Sequence, residues 1–333
     1  MIRLAQIFRD GLVLQANKPI RIFGEGDGVY EVEFLGQTVR AESEIGSGKW
    51  LAELAPASYG VDYTLTVRHG DESLTLHDVC VGEVFLCAGQ SNMQFGLGEE
   101  KTPLSAYSDD PYLRTFVSAR VEPNTDFKPE DGWNAAESAT VGMWTALGYL
   151  IGSHARRAGA PAVGIVNCSQ GASYIQTWID DARYIGSPLE LPVEVMHFDA
   201  SYPLYQHFNR PGLLYHHMLE PLFPFSFGRV IWYQGESNTS AAEAAIYVDL
   251  LNMMITNWRD SFADPDLPFT LIQIADYQDR DDDMWRGVQK AQAEAPARIR
   301  LVNTVVSADI SEKDNIHPPT KAPLARRVWE SIS

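Results

Sequence analysis

Residues 84 to 96 read VFLCAGQSNMQFG. An unbroken apolar run from Val84 to Ala88 stops at Gly89 and gives way to Gln90, Ser91 and Asn92. A short apolar run without alternation suits a strand buried on both faces, as in a parallel sheet. In open α/β sheets the turn after such a strand faces the crevice where ligands bind. Ser91 is therefore a candidate nucleophile, although an ordinary strand and turn would leave the same trace.

The rhythm differs on the two sides of this stretch. Upstream, from Leu4 to about Val79, apolar residues alternate over short runs, as in Val32 and Phe34 or Tyr63, Leu65 and Val67, with Gly36, Gly46, Gly48, Gly60 and Gly70 between them. That pattern predicts half-buried antiparallel strands forming a small β-sandwich over residues 1–79. Downstream, over residues 80–333, apolar strands alternate with amphipathic helices. The strand candidates are 84–88, 163–169, 229–236, 269–275 and 299–306. Ile246, Leu250, Met253, Met254 and Trp258 recur at helical spacing behind a start signal at Thr239 and Ser240, and Met143, Ala146, Leu147 and Leu150 mark another helix. The fold class predicted is α/β, a parallel sheet flanked by helices. The long Pro- and aromatic-rich stretch from Ala182 to Gly228 is predicted to form one wall of the cleft.

The 333 residues carry 26 Lys and Arg against 44 Asp and Glu, a formal charge of -18. Such a chain repels phosphate backbones and anionic bilayers at long range, so neither nucleic acid nor membrane is an expected partner. A small anionic substrate remains compatible, because one well-placed Arg outweighs a distant field. The amino terminus, MIRLAQIFRD, lacks the apolar core of a signal peptide, and no segment reads as a membrane span; the expected location is cytoplasmic. Cys80, Cys87 and Cys168 lie in or beside apolar runs and read as reduced, buried side chains.

A nucleophilic serine needs a base, a group that orients the base, and donors for the developing oxyanion. His69, His77 and His154 sit in turns or on faces that read as structural or solvated. His317 lies in KDNIHPP (313–319), three residues after Asp314 and directly before Pro318 and Pro319, which stiffen the backbone. A loop capping the last helix would read the same way. In WYQGESN (232–238), Gln234 can donate an amide and Glu236 can orient a histidine; in NCSQGASYIQTW (167–178), Gly171 can offer an N–H. All four elements follow predicted strands or occupy the last loop, so a parallel sheet brings them to one crevice. Met93 stands where a Gly-x-Ser-x-Gly elbow needs its second glycine, and no metal or nucleotide motif is present. His216 and His217 are adjacent rather than a turn apart, so no metal and no cofactor are expected.

With these residues in place, the chain resembles the sialate O-acetylesterase family, a branch of the SGNH hydrolases similar also to the acetylxylan esterases of carbohydrate esterase family 6. The likeness runs through IFRDGLVLQANKPIRIFG, VCVGEVFLCAGQSNMQF, LLYHHMLEPLFPFSFGRVIWYQGESN and DNIHP. It implies an SGNH-hydrolase-like, flavodoxin-like sheet behind the amino-terminal sandwich. It also implies Ser91 as nucleophile, His317 as base, and Ser91 N–H, Gly171 N–H and the Gln234 amide as the oxyanion hole. The orienting acid is Asp314 by the superfamily pattern or Glu236 by that of some family 6 esterases. Three departures from the family pattern, Gly171-Ala172-Ser173, Gln176 ahead of Trp178, and Tyr215-His216-His217-Met218, fall where substrate is held. Gln90, Asn92, Met93, Trp178, Tyr215 and His216 are accordingly expected around the substrate. The implied activity is removal of O-acetyl groups from a sugar, with sialic acid or acetylated xylan and other oligosaccharides as scaffolds; a non-catalytic carbohydrate-binding protein is the reading from another class. A homodimer is compatible. No arginine adjoins these motifs in sequence except Arg229.

Overall fold

A computed structural model describes residues 1–121, 128, 131–192, 203–280 and 282–333. Its organising element is one strand of 18 residues, Glu72–Gly89. The first half pairs antiparallel with Gly60–His69, Val13–Gln15 joins in parallel at residues 80–82, and the second half lies between two parallel strands, Val163–Ser169 and Arg229–Tyr233. The boundary predicted between residues 79 and 80 thus falls inside a continuous strand, and no linker separates the two rhythms.

On the amino-terminal side, Val29–Phe34 pairs with Gln37–Glu42 and Gly60–His69, while Ile20–Glu25 pairs with Arg3–Leu4 and Lys49–Leu54, all antiparallel. Tyr30 from the first group stacks on Trp50 from the second, ring centroids 4.3 Å apart, joining the two sets of strands through a shared core. The alternation in the sequence is visible in Lys49–Leu54, where Trp50, Ala52 and Leu54 are buried and their neighbours exposed.

On the other side, six strands run parallel in the order Asp110–Val117, Val163–Ser169, Glu72–Gly89, Arg229–Tyr233, Phe269–Ile272 and Val302–Val305, with Asn134–Ala136 antiparallel at one edge. The sheet as a whole is mixed, flanked by helices on both faces. Val84, Leu86 and Ala88 face the core that holds Leu250, Met254 and Trp258 of helix Ala241–Ser261; Phe85 and Cys87 face Leu147 and Ile151 of helix Ala146–Arg157 and Leu324 of helix Ala322–Glu330. Two buried faces explain why this stretch shows no polar alternation. Ser240 caps the long helix by accepting from the N–H of Glu243. The strand predicted at 229–236 ends at Tyr233, which releases Gln234 to Glu236 into a turn.

Asp110–Val117 was not among the predicted strands. Arg114 interrupts its apolar run, yet this side chain is 3% exposed, and its guanidinium donates to the carbonyls of Gly11 and Asp78 and to the Asp78 carboxylate. All three cysteines are free and buried, as their apolar surroundings predicted. Among the described residues no helix is long and apolar enough to cross a membrane. Of the predicted cleft wall at 182–228, residues 193–202 lie outside the described residues.

Candidate active site

Successive strands beside the long one lie on opposite sides of it, so its carboxyl end sits where the sheet order reverses and a crevice opens. Gly89, Ser169 and Tyr233 are in register there. Gly89 has φ +137, and a Cβ on it would come within 2.1 Å of the Tyr233 carbonyl oxygen. Only glycine lets the backbone bend against its neighbour, and Gln90 N–H then donates to that same carbonyl at 3.0 Å. The bend leads directly into a short helix, Ser91–Gln94, with Ser91 as its first residue.

His317 reaches this point from the last loop, 226 residues later in the chain. Its Nε2 lies 2.7 Å from Ser91 Oγ. The loop is fixed by His317 N–H donating to Asn315 Oδ1, by Thr320 and Lys101 both donating to Glu312, and by Glu100 Oε1 accepting from the N–H groups of Lys321 and Ala322. Burial, reinforced by the positive charge of Lys321 and opposed by Glu99, holds the His317 pKa below the usual imidazole value. A neutral ring 2.7 Å from a hydroxyl is placed to accept its proton.

Neither acid proposed to orient the ring hydrogen-bonds to it. Asp314 is exposed and has no bond to His317 among the described residues. Glu236 is buried on the cleft wall: its Oε1 accepts from Asn92 Nδ2 at 2.6 Å, its Oε2 has no partner among the described residues, and burial pushes its pKa up.

The oxyanion donors divide. Ser91 N–H has no acceptor among the described residues. Gly171 stands beside the serine, its Cβ position 3.7 Å from Ser91 Cβ, and its N–H donates to Gln94 Oε1 at 2.8 Å. Gln234 does not face the cleft. Its amide nitrogen donates to Ser173 O and Asn238 Oδ1, its Oε1 accepts from Tyr247, and the residue is fully buried. Both amide hydrogens are consumed inside the protein, which corrects the expectation of an oxyanion donor there.

Ser91, His317, Gly171, Glu236, Gln90 and Arg120 line one cleft of about 560 Å³, within the range of small-ligand sites. A family model described as carbohydrate esterase, sialic acid-specific acetylesterase, matches residues 81–326. The chain belongs to this family. It is 25% identical over 338 residues to the sialate O-acetylesterase of Mus musculus, covering 85% of this chain and 62% of that protein. The human sialate O-acetylesterase is 24% identical over 316 residues, with 85% of this chain and 59% of the relative covered. The chain thus spans about three-fifths of the length of these relatives. A carbohydrate acetylesterase from Xanthomonas citri has a similar structure, with TM-score 0.83 and 30% identity over 98% of this chain and 73% of the other.

Of the six residues expected to surround an acetylesterase substrate, only Gln90 lines the cleft. Its Oε1 accepts from the N–H groups of Gly235 and Ser237, tying the serine turn to the turn after Tyr233. Asn92 is buried behind the cleft and Met93 is in the core. Trp178 packs edge-on against Trp232 and lies against Trp258, and Tyr215 gives its hydroxyl to a bond with Ser261; both are core residues. His216 lies between Asp181 and Glu220 on a neighbouring groove. With Asp180 and Asp181 it forms the one group among the described residues whose potential metal-ligand atoms come within 4.8 Å of one another, away from Ser91.

Sequence reasoning missed Arg120 and Gln94. Arg120 lines both the cleft and the neighbouring groove, its Nε donating to Ser169 O at 2.7 Å. Arg229 is at the amino end of its strand, bonded to Thr270 and Asn303, on a separate pocket. Arg120 lies three residues beyond the strand Asp110–Val117, and predicting that strand would have placed it near the cleft.

Proposed function

We propose that this protein removes O-acetyl groups from sugars through an acetyl-serine intermediate, with an acidic sugar of the sialic acid type as its substrate. The observation that carries the reading is the 2.7 Å contact between Ser91 Oγ and His317 Nε2 on the wall of a ligand-sized cleft. Ser91 Oγ attacks the acetyl carbonyl carbon as His317 takes the hydroxyl proton. Ser91 N–H and, once released by Gln94, Gly171 N–H receive the oxyanion. Collapse of the tetrahedral intermediate breaks the bond to the sugar oxygen, which leaves with the proton from His317. Water then attacks the acetyl-serine, His317 taking its proton and returning it to Ser91, and acetate is released.

Family membership supports the ester, and the relatives named above support an acetylated sugar. Arg120 on the cleft wall supports an acidic one, because a guanidinium pairs well with a carboxylate. The arrangement fits the SGNH-type frame, with the paired antiparallel sheets at the amino end as its sandwich. The test is acetate release from O-acetylated sialic acid, acetylxylan and acetylated monosaccharides by the protein and its Ser91→Ala variant. Release from the sialic acid that Ser91→Ala abolishes is the expected result. Undiminished release by the variant would remove the serine mechanism, and preference for acetylxylan would replace the substrate.

A further inference from the structure

Lys321 belongs to the catalytic neighbourhood, yet neither a strand-end motif nor a family pattern assigns it a role here. It is 1% exposed, its ammonium donates to Asn92 Oδ1 at 2.6 Å, and it lies 4.9 Å from the ring centre of Phe95 and 5.5 Å from that of Tyr233. A lysine this deeply buried is rare unless it is paired.

The bond to Lys321 completes the set of contacts that fixes which way the Asn92 amide points. With Oδ1 committed to the ammonium, Nδ2 donates to Glu236 Oε1 at 2.6 Å and to the carbonyl of Ile316 at 2.9 Å. One amide thereby ties together the turn that carries Ser91, the turn that carries Glu236, and the residue directly before His317. A flipped amide would set its oxygen against a carboxylate and a carbonyl and its amide nitrogen against an ammonium, so all three partners select one orientation and Lys321 satisfies the oxygen that it leaves.

We propose that Lys321 is the positioning residue of this site, acting through Asn92 to hold Ser91, Glu236 and His317 in their working arrangement. The role rests on the esterase reading of Ser91 and His317. Lys321 also supplies the positive charge that Glu236 would otherwise lack in the interior.

The charged groups facing His317 come from each neighbouring element: Lys321 from the start of the last helix, Glu99 from the turn Leu97–Glu99, Glu236 from the turn after Tyr233, and Arg120 from the facing wall. Burial drives the Lys321 pKa down to about 8, so in mildly alkaline solution the ammonium loses its charge and its charge-assisted bond to Asn92 Oδ1 becomes a weaker, neutral one. The same charge depresses the His317 pKa.

The test is the pH profile of kcat and KM for acetyl-ester hydrolysis by wild type, Lys321→Met and Ser91→Ala. Lys321→Met is expected to lower kcat about a hundredfold with KM little changed, the scale of a misplaced nucleophile and base. Its acid limb should move to higher pH as His317 loses the neighbouring charge. The alkaline fall expected near pH 8 in wild type should be absent. The acid-limb shift reports only the lost charge; the fall in kcat with KM little changed is the readout that a merely structural lysine would not move. Unchanged kcat and limbs in folded Lys321→Met overturn the proposal, as does a wild-type profile that stays flat through pH 8, a measurement that stands even where the variant does not fold. Loss of activity in Ser91→Ala beside an unaffected Lys321→Met sinks the lysine's role alone; full activity in Ser91→Ala sinks the esterase reading itself.

Discussion

Gly171 N–H donates to the side-chain oxygen of Gln94 at 2.8 Å, so a donor standing beside Ser91 is occupied by the protein's own amide. Both residues line the cleft, and Gln94 closes the short helix that Ser91 opens. A substrate carbonyl that uses this N–H has to displace Gln94. The exchange replaces one neutral hydrogen bond by another in the ground state and by a stronger, charge-assisted one in the transition state.

Gln94→Ala removes that competition. Because a neutral hydrogen bond contributes about 1 kcal/mol net, kcat/KM for acetyl-ester hydrolysis should rise by up to about fivefold. Steady-state kinetics on the purified variant checks this. A fall in kcat/KM would mean that Gln94 contacts the substrate rather than blocking its donor.

Gln234 leads to the opposite kind of effect. Gln234→Leu would leave the buried Ser173 O without its donor, at a cost of about 1–3 kcal/mol, and would take one of two partners each from Tyr247 Oη, which keeps the backbone carbonyl of residue 234, and from Asn238 Oδ1, which keeps the Ile175 N–H. The expected signature is a melting temperature lowered by several degrees with kcat changed less than about tenfold at temperatures where the chain is folded. Loss of a true oxyanion donor costs about a hundredfold or more in kcat while leaving stability nearly intact. Thermal unfolding beside kinetics separates the two.

These two glutamines mark the limit of what was legible in the sequence. Val84 to Ala88 announced a buried strand because both of its faces are apolar, and Ser91 and His317 were legible because turn residues surround them. Gln234 follows a strand as Gln90 does, and nothing in the residue order says that one points into the interior and the other into the cleft. Asn92 is expected around the substrate and nothing in the residue order marks Lys321 as buried; their burial is decided by Phe95, Tyr233 and Glu236, which only the tertiary fold brings near. Trp178 and Tyr215 sit at departures from the family pattern, where substrate contacts are expected, yet large aromatic side chains bury where a core is available. Sequence spacing places a residue on a turn but does not fix the direction in which a side chain leaves it.

The pH dependence of hydrolysis follows from the His317 environment. On the proposed mechanism the active form is the neutral ring, and burial with Lys321 holds its pKa below 6.5, so the acid limb of kcat/KM should have its midpoint below that value. The sign for folding is the same: the unfolded chain takes up the proton more readily, so stability from this group is complete above pH 6.5 and falls as pH drops through it. Glu99 opposes the shift, so Glu99→Gln should move the kinetic limb to still lower pH. A limb that moves upward in this variant would contradict the assigned electrostatics.

The bend at Gly89 allows a prediction with its own control. An alanine there needs φ near +137 and sets its Cβ 2.1 Å from the Tyr233 carbonyl, so the parallel pairing that aligns the serine turn has to open. Backbone strain and overpacking together place the cost on the order of 3 kcal/mol or more. Gly159 has φ +103 with nothing within 4 Å of its Cβ position, so Gly159→Ala carries strain alone, about 1–2 kcal/mol. Denaturant titration of both variants should rank Gly89→Ala as clearly the less stable. Its activity should fall further than the loss of folded protein explains, because Ser91 is two residues from the displaced Cα. Equal stability of the two variants would show that the strand end yields without disturbing its neighbour, and the alignment of Ser91 with His317 would then owe nothing to the glycine.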